Sequence, residues 1–231
     1  MKPGQSGFGD RKRVSAWGVA GLCLGLLAAA GCVSQERVKK ADGYYQEGVA
    51  VYNTDQQSAY VSFQKSLKEN PRHRNAHYYV ALIYATQQKF PEAEVEIREV
   101  IDIDPDFPEA HEFLGQLLVK QDRRREAIRA FRKAAGSPLY STPDLAYYHM
   151  SLAMQLEGDM EGAKQALEDA LKVVPPNVPP AQVYLELGRV HYRLGDDAKA
   201  REALARAVSL DKDKNGAVSA EARALMERLK L

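Results

Sequence analysis

Three groups of residues in this chain are of types that could do chemistry: two cysteines, a set of spaced histidines and an aspartate-rich loop. Cys23 lies inside an apolar stretch, and Cys32 ends it after the small residues Ala28, Ala29, Ala30 and Gly31. That is the form of a secretory processing site. Once residues 1–31 are removed only one thiol remains, so a disulfide, a thiolate metal site and a cysteine nucleophile are all excluded unless Cys32 itself reacts. Asp211, Asp213, Asn215 and Gly216 have the spacing that opens a calcium loop. Such a loop needs a bidentate glutamate at its twelfth position. Ala222 stands there, with Glu221 one residue early, so an Asn-Gly turn is the expectation instead. His77, His111, His149 and His191 each fall in a different repeat of the chain, which argues against convergence on one metal or substrate. There is no Gly-rich phosphate loop, nucleophile elbow or His-Glu-x-x-His segment. No catalytic residue, no metal ligand set, no cofactor and no small-molecule substrate is expected; the chain does not read as an enzyme.

The beginning of the chain reads as a targeting segment. Lys2, Arg11, Lys12 and Arg13 make a positive region, followed by uncharged apolar residues from 17 to 31. About 15 residues are too few to span a bilayer comfortably as a permanent helix. The run Leu26-Leu27-Ala28-Ala29-Ala30-Gly31-Cys32 resembles the lipobox of bacterial lipoproteins. That resemblance implies a signal peptide over 1–31, diacylation of the Cys32 sulfur, cleavage before it, and acylation of the new amine. Val33 in place of an aspartate implies sorting to the outer membrane, lipid-anchored and facing the periplasm. Residues 32–40 are then expected to be a short lipidated tether. Losing four basic residues and Asp10 with the signal peptide moves the formal net charge from +1 to about −2, which does not suggest nucleic-acid binding.

The elements downstream follow a period. Residues 74–107 superpose on 108–141 with apolar and small residues coinciding at a spacing of 34, the period of the tetratricopeptide helix-turn-helix unit. Val80, Ala81, Tyr84, Ala93, Ile97 and Pro105 in one copy correspond to Leu114, Gly115, Leu118, Ala127 and Phe131 in the next, where Pro138 comes one residue early. Further copies run over 144–177 and 181–214, and a weaker one over 41–73 carries Gly48, Ala59, Phe63 and Pro71. The expected fold is all-α: a superhelix of five such repeats closed by a capping helix over 217–231, with Ala222, Leu225, Met226 and Leu229 on its inner face. A small residue on the first helix of each repeat is expected to let the second approach, and large residues such as Ile97 and Phe131 to fill the space between units. Thr142-Pro143 and the run Val178-Pro179-Pro180 break the strict spacing and are expected to stiffen connections.

Such stacks have a concave face lined by the first helices. The corresponding positions are Tyr45, Val49, Tyr52, Tyr78, Leu82, Tyr148, Leu152, Leu156, Leu185, Arg189, Tyr192 and Arg193, together with the polar Glu109, Glu112, Gln116 and Lys120. Tyrosines there would give contact area with a hydroxyl to orient a protein partner, or would pack against neighbouring repeats. The basic run Lys120, Arg123, Arg124, Arg125, Arg129, Arg132 and Lys133 is interleaved with Asp122 and Glu126 and reads as a solvated surface.

A lipobox joined by a short tether to such repeats resembles the pilotin family of type IV pili (PilF/Tgl type). The segment 134–153, with Leu139-Tyr140 entering the next repeat, carries the local likeness. The resemblance implies an outer-membrane scaffold that promotes localisation and assembly of the type IV pilus secretin, its protein partner, for pilus biogenesis and twitching motility. Alternatives are a periplasmic lipoprotein adaptor recruiting peptidoglycan hydrolases or proteases, and a subunit of the outer-membrane barrel assembly machinery. The family usually shows six repeats, and Ser151 occupies a site where glycine is usual. Cys32→Ala is expected to move the protein out of the membrane fraction; unchanged fractionation would defeat the lipobox reading.

Overall fold

The computed structural model describes Met1, residues 34–213 and residues 216–229. Cys32 and the apolar stretch before it lie outside the described residues, as do Lys214 and Asn215 of the aspartate-rich loop. The described residues hold eleven helices and no strand. They pair in chain order: α1 (Gln35–Val51) with α2 (Gln56–Glu69), α3 (Arg74–Thr86) with α4 (Phe90–Ile103), and α5 (Pro108–Lys120) with α6 (Arg124–Ala135). Then come α7 (Pro143–Glu157) with α8 (Met160–Leu171), and α9 (Pro180–Arg193) with α10 (Asp197–Leu210). A single helix, α11 (Ala217–Arg228), closes the end, so five hairpins and a cap make an all-helical tetratricopeptide superhelix.

Local chemistry sets the helix starts. Asp55, Asp159 and Asp196 each accept a hydrogen bond from the backbone N–H three residues on, at 3.0, 2.9 and 3.1 Å. Such a cap contributes about 1 kcal/mol by satisfying one otherwise orphaned donor. Helices α5, α7 and α9 instead begin on Pro108, Pro143 and Pro180, where a missing N–H costs nothing and φ is already helical. Both inserted segments therefore end as helix starts. One boundary differs from the sequence reading: residues 35–40, expected as tether, are the opening turns of α1. Ser34 caps them through Arg37 N at 3.3 Å. The Arg37 guanidinium then donates to the Lys68 carbonyl at 2.8 Å and to Glu69 at 3.3 Å, binding the extra turns to the end of α2.

The core repeats with the sequence. Ala59, Ala93, Ala127, Ala163 and Ala200 are fully buried, and so, to within 1 %, are Phe63, Ile97, Phe131, Leu167 and Leu204 at one register of each second helix. The large residues do more than fill space between units. A Cβ built on Gly48 would lie 2.5 Å from the Phe63 ring, one on Gly115 2.5 Å from the Phe131 ring, and one on Gly188 2.6 Å from Leu204. Each ring or isobutyl group thus rests on the first-helix backbone of its own repeat. Ala81 and Ser151 take the glycine's register in the second and fourth repeats, both fully buried, and the Ser151 hydroxyl turns back onto the Tyr148 carbonyl at 2.7 Å. At the far end Ala222 is buried, and Leu225, Met226 and Leu229 pack against Leu185, Leu204 and Ala207.

The hairpin turns share a second register. Gln88, Asp122, Gly158 and Gly195 all have left-handed backbone, with φ of 60, 60, 84 and 76°. Each is the fifteenth residue of its repeat. Glycine adopts this conformation freely, whereas a side chain is strained by roughly 1 kcal/mol.

Two substitutions separate these effects in the denaturation midpoint. Gly115→Val is expected to lose about 2–3 kcal/mol through overpacking against Phe131. Gln88→Gly is expected to gain about 0.5–1 kcal/mol by relieving the left-handed strain. A neutral Gly115→Val would show that the close approach is not a constraint.

Candidate protein-binding groove

Side chains of successive first helices touch one another, which places those helices on the inner, concave side of the stack. In the first two repeats the contact is aromatic. Tyr79 stacks on Phe63 at 5.0 Å and meets Tyr45 and Tyr52 edge-on, with ring centroids 5.9 and 5.1 Å away. Tyr78 lies 5.7 Å from Phe107, which caps α5, and reaches the third repeat at Phe113, 5.9 Å away. Burial, then the carboxylates of Glu112 and Glu109, push the Tyr78 hydroxyl up to about 12, so it stays neutral as a hydrogen-bonding group.

From the third repeat onward the ladder is polar. Glu112, buried on α5, accepts from Gln116 at 2.8 Å and from His149 Nδ1 at 2.6 Å. Gln182 donates to the Tyr148 hydroxyl at 2.8 Å, and Gln155 donates to Glu186 at 3.2 Å. Arg189 bonds Glu186 at 2.6 Å within α9 and Glu221 on the cap helix. Arg193 reaches the Gln155 carbonyl at 3.5 Å. Of the residues read as groove contacts, Tyr45, Tyr52, Tyr78 and Leu82 are half-buried, and Arg189 is half-buried and paired. Tyr148, expected to face a partner, is 7 % exposed and acts as a post between α7 and α9. Tyr192 and Arg193 are open to solvent.

One stretch of this inner face remains apolar and uncovered. Between α5 and α7 lies a cleft of about 320 Å³, walled by Val119, Leu152, Ala153 and Leu156, with Phe131 behind and Gln116, Lys120 and His149 at the rim. Leu156 is 60 % exposed there. Leu152, Leu156, Gln116 and Lys120 were legible as groove positions; Val119 and the Phe131 floor were not, because they depend on how two repeats stack.

The basic run around α6 keeps an exposed surface at Arg125, Arg129, Arg132 and Lys133, and its first three arginines also fasten neighbouring residues. Arg123 bonds Glu94 and Glu126, each at 2.6 Å, and Arg124 bonds Asp122. Arg125 meets Glu157 of the next repeat at 3.0 Å. Glu94 is 8 % exposed and also holds Arg98 and Gln121; burial works to raise its pKa, but these donors outweigh it and hold the carboxyl below the usual range. The histidines are likewise structural. His73 Nδ1 caps α3 by accepting from Ala76 N at 3.1 Å, while Nε2 meets Asp42 at 3.1 Å. His77 donates from Nδ1 to Glu96 at 2.6 Å and from Nε2 to the Pro71 carbonyl at 2.9 Å; burial opposes its charge, but both bonds favour it, and its pKa is raised. His111 repeats the second bond with the Pro105 carbonyl at 2.9 Å. Among the described residues no group of three or more His, Cys, Asp or Glu side chains could hold a metal ion. Asp211 accepts from the Ser219 N–H at 3.1 Å and hydroxyl at 2.7 Å, so it tethers the start of α11.

The most buried acid is Asp144, 1 % exposed at the start of α7. It accepts from Asn177 N at 2.6 Å, Asn177 Nδ2 at 3.0 Å and Val178 N at 2.7 Å, clamping the proline-rich connection between α8 and α9. No motif marks it.

Residues 49–108 and 157–217 match the family model described as the tetratricopeptide repeat. The chain belongs to the tetratricopeptide repeat family. It is a repeat scaffold of the class that binds proteins. A curated relative, the general transcriptional corepressor ssn6 of Schizosaccharomyces pombe, is 27 % identical over 125 residues, which is 52 % of this chain but only 11 % of that protein. Among solved structures the tetratricopeptide chain resembles MamA with a TM-score of 0.68 at 20 % identity, covering 76 % of this chain and 94 % of MamA. It resembles pilF of Pseudomonas aeruginosa with a TM-score of 0.64 at 21 % identity, covering 84 % and 94 %. For PilW, described as a widely conserved type IV pilus biogenesis factor, the TM-score is 0.62 at 21 % identity, covering 81 % and 92 %. At these identities the likeness is one of fold. Among the described residues of this tetratricopeptide chain no helix is long and apolar enough to cross a membrane.

Asp144→Ala leaves the buried Val178 N–H and two part-buried Asn177 donors without their acceptor and is expected to cost about 1–3 kcal/mol at neutral pH. Burial acts to raise the Asp144 pKa, but the N–H groups of Val178 and Asn177 more than offset it, so the folded value lies below the usual one. This contribution is therefore complete above the unfolded carboxyl pKa of about 3.9 and is lost as pH falls through the folded value. Denaturation curves at neutral pH and below pH ~4 should show the gap between wild type and variant closing in acid. A gap independent of pH would show that Asp144 acts through packing alone.

Proposed function

We propose that this chain is a pilotin: a lipoprotein of the outer membrane, held by acyl chains on Cys32, whose concave face binds subunits of the type IV pilus secretin and promotes their assembly. The cleft between α5 and α7 carries the reading. It is the part of the inner ladder where apolar surface stays open, bordered by Lys120, which has no acidic partner among the described residues. An apolar side chain of a bound segment fits there, with an acidic or carbonyl oxygen near the lysine. The lipobox-like run ending at Cys32, the likeness of residues 134–153 to the pilotin family, and the fold shared with pilF and PilW support the assignment of partner.

The mechanism is positional. An acylated cysteine fixes the scaffold at one membrane, and the groove holds secretin subunits there at an effective concentration that free diffusion does not reach. No bond is made or broken by the scaffold. Anchor and groove are both needed, because either alone leaves the subunits unlocalised or unbound.

Deleting the gene is expected to leave secretin monomers unassembled and pili absent; normal heat-resistant secretin multimers in the mutant would sink the reading. Leu152→Glu with Leu156→Glu places two charges in the cleft and is expected to abolish co-purification of secretin while the far-ultraviolet helical signal is kept. Recovery of peptidoglycan hydrolases or proteases, and no secretin, on the intact groove would replace the pilotin with an adaptor.

A further inference from the structure

The two edges of the stack differ in chemistry. Because helices alternate in direction, the start of α1 lies on the edge that carries every connection from a second helix to the next first helix. Side chains confirm the adjacency: Arg37 at the start of α1 bonds the end of α2, Arg74 at the start of α3 bonds Asp104 after α4, and Asp144 at the start of α7 bonds Asn177 after α8. The opposite edge carries the tight hairpin turns. Their left-handed residues Gln88 and Asp122 are exposed and polar; the exposed apolar residues towards that edge are Leu156, 60 % exposed in the cleft near the end of α7, and Leu194, at 36 %.

The connecting edge is different. Leu139 and Val174 are 76 % and 85 % exposed, the largest values for apolar side chains within the helical stack. Each stands at the tip of a connection stiffened by proline, Pro138 beside one and Pro175-Pro176 beside the other, so neither can fold back into the core. Beside each tip is a hollow of about 300 Å³ with apolar walls: Pro105, Pro108 and Pro138 beside Leu139, and Leu171, Val173 and Leu210 beside Val174. Arg132 and Lys133 flank the first tip and Lys172 the second, with Lys133 4.0 Å from Asp106 and Lys172 2.7 Å from Asp169. Apolar tips beside long basic side chains match the depth profile of a bilayer interface, with hydrocarbon below and headgroup oxygens above.

We propose that this edge rests on a lipid surface, with Leu139 and Val174 entering the interfacial layer alongside the acyl anchor of Cys32. The occupant follows from where the described chain begins. Ser34 opens α1 on this edge, and two residues of chain span at most about 7 Å, so acyl chains on Cys32 would enter a bilayer next to it. One weak apolar tip does not hold a protein on a membrane, but tips beside a covalent anchor act at high local concentration and fix its orientation. The inference rests on the anchor reading above.

The test uses the full-length protein, matured in a producing cell and reconstituted into vesicles of phosphatidylethanolamine and phosphatidylglycerol. Single substitutions Leu139→Cys, Val174→Cys, Gln88→Cys and Asp122→Cys each carry an environment-sensitive fluorophore, and mass spectrometry reports acylation of Cys32. The expected result is an acylated chain whose labels at 139 and 174 shift to the blue and are quenched by a lipid-borne quencher several-fold more than those at 88 and 122. An acylated chain with all four labels equally exposed to water would overturn the edge proposal and leave the anchor standing. A chain without acyl groups would overturn the anchor reading and the edge proposal with it.

Discussion

The close approach of the two helices in each repeat is the constraint on which the rest of this molecule depends. Gly48, Gly115 and Gly188 lack the one atom that would collide with Phe63, Phe131 and Leu204. With that atom absent, a large side chain lies flat on the backbone of the facing helix and the hairpin closes as a dense unit. At the same register the second repeat has Ala81 and Ile97, and the fourth Ser151 and Leu167, all fully buried. The two aromatic rings fall in repeats whose first helix carries glycine, at Gly48 and Gly115, whereas an aliphatic side chain stands opposite Ala81, Ser151 and Gly188. The spacing between first helices, and with it the cleft of the third and fourth repeats, is a consequence of how tightly these hairpins close.

A stack of similar hairpins could slide or rotate at each junction, since every repeat touches only its neighbours. Buried acids remove that freedom. Glu94 reaches forward to Arg123, Glu112 to His149, and Glu186 back to Gln155, each across a repeat boundary. Taking a carboxylate out of water is costly, and a well-packed apolar residue would often stabilise as much. What the acids add is geometry: a carboxylate with two or three donors has one satisfactory register, whereas apolar surfaces accept several. In the first two repeats the same task falls to rings, with Tyr79 held among Tyr45, Tyr52 and Phe63. The groove is thus lined by residues that already have partners, and open surface is left where the pattern of pairing lapses, at Leu152 and Leu156.

This division explains what could be read from the residues. Repeat boundaries, the glycine and alanine registers, the prolines at helix starts and the apolar face of the cap are local consequences of size and period, and they stood in the sequence. Tyr79, His73 and Asp144 were not legible, because each acts through partners about 30 residues away, Tyr45 and Tyr52 in the case of Tyr79, whose position depends on the rotation between repeats. Tyr148 sat at a groove register but is covered by Gln182 of the next repeat for the same reason. The start of α1 at Gln35 was missed on other grounds: the repeat pattern begins later, and Arg37 stabilises turns that lie outside it. Gln88 and Asp122 show the converse, since their left-handed backbone is imposed by the hairpin and not requested by the residue.

A groove of already paired residues binds weakly at any one point, which makes orientation and local concentration matter more than single contacts. On an edge-down placement, the first helices rise from the lipid surface and the concave face stands upright beside it. The cleft between α5 and α7 then lies near the exposed end of α7, on the side of Leu156 and the hairpin turns, away from the surface. A partner inserted in the same membrane would meet the cleft from the side and within reach, while a soluble protein would have to find it without that guidance. Acyl chains alone would leave the stack free to swing; on that placement apolar tips at Leu139 and Val174 would restrict the motion and convert an anchor into a bearing. Selectivity for membrane-bound partners then follows from placement, even where the groove itself discriminates little.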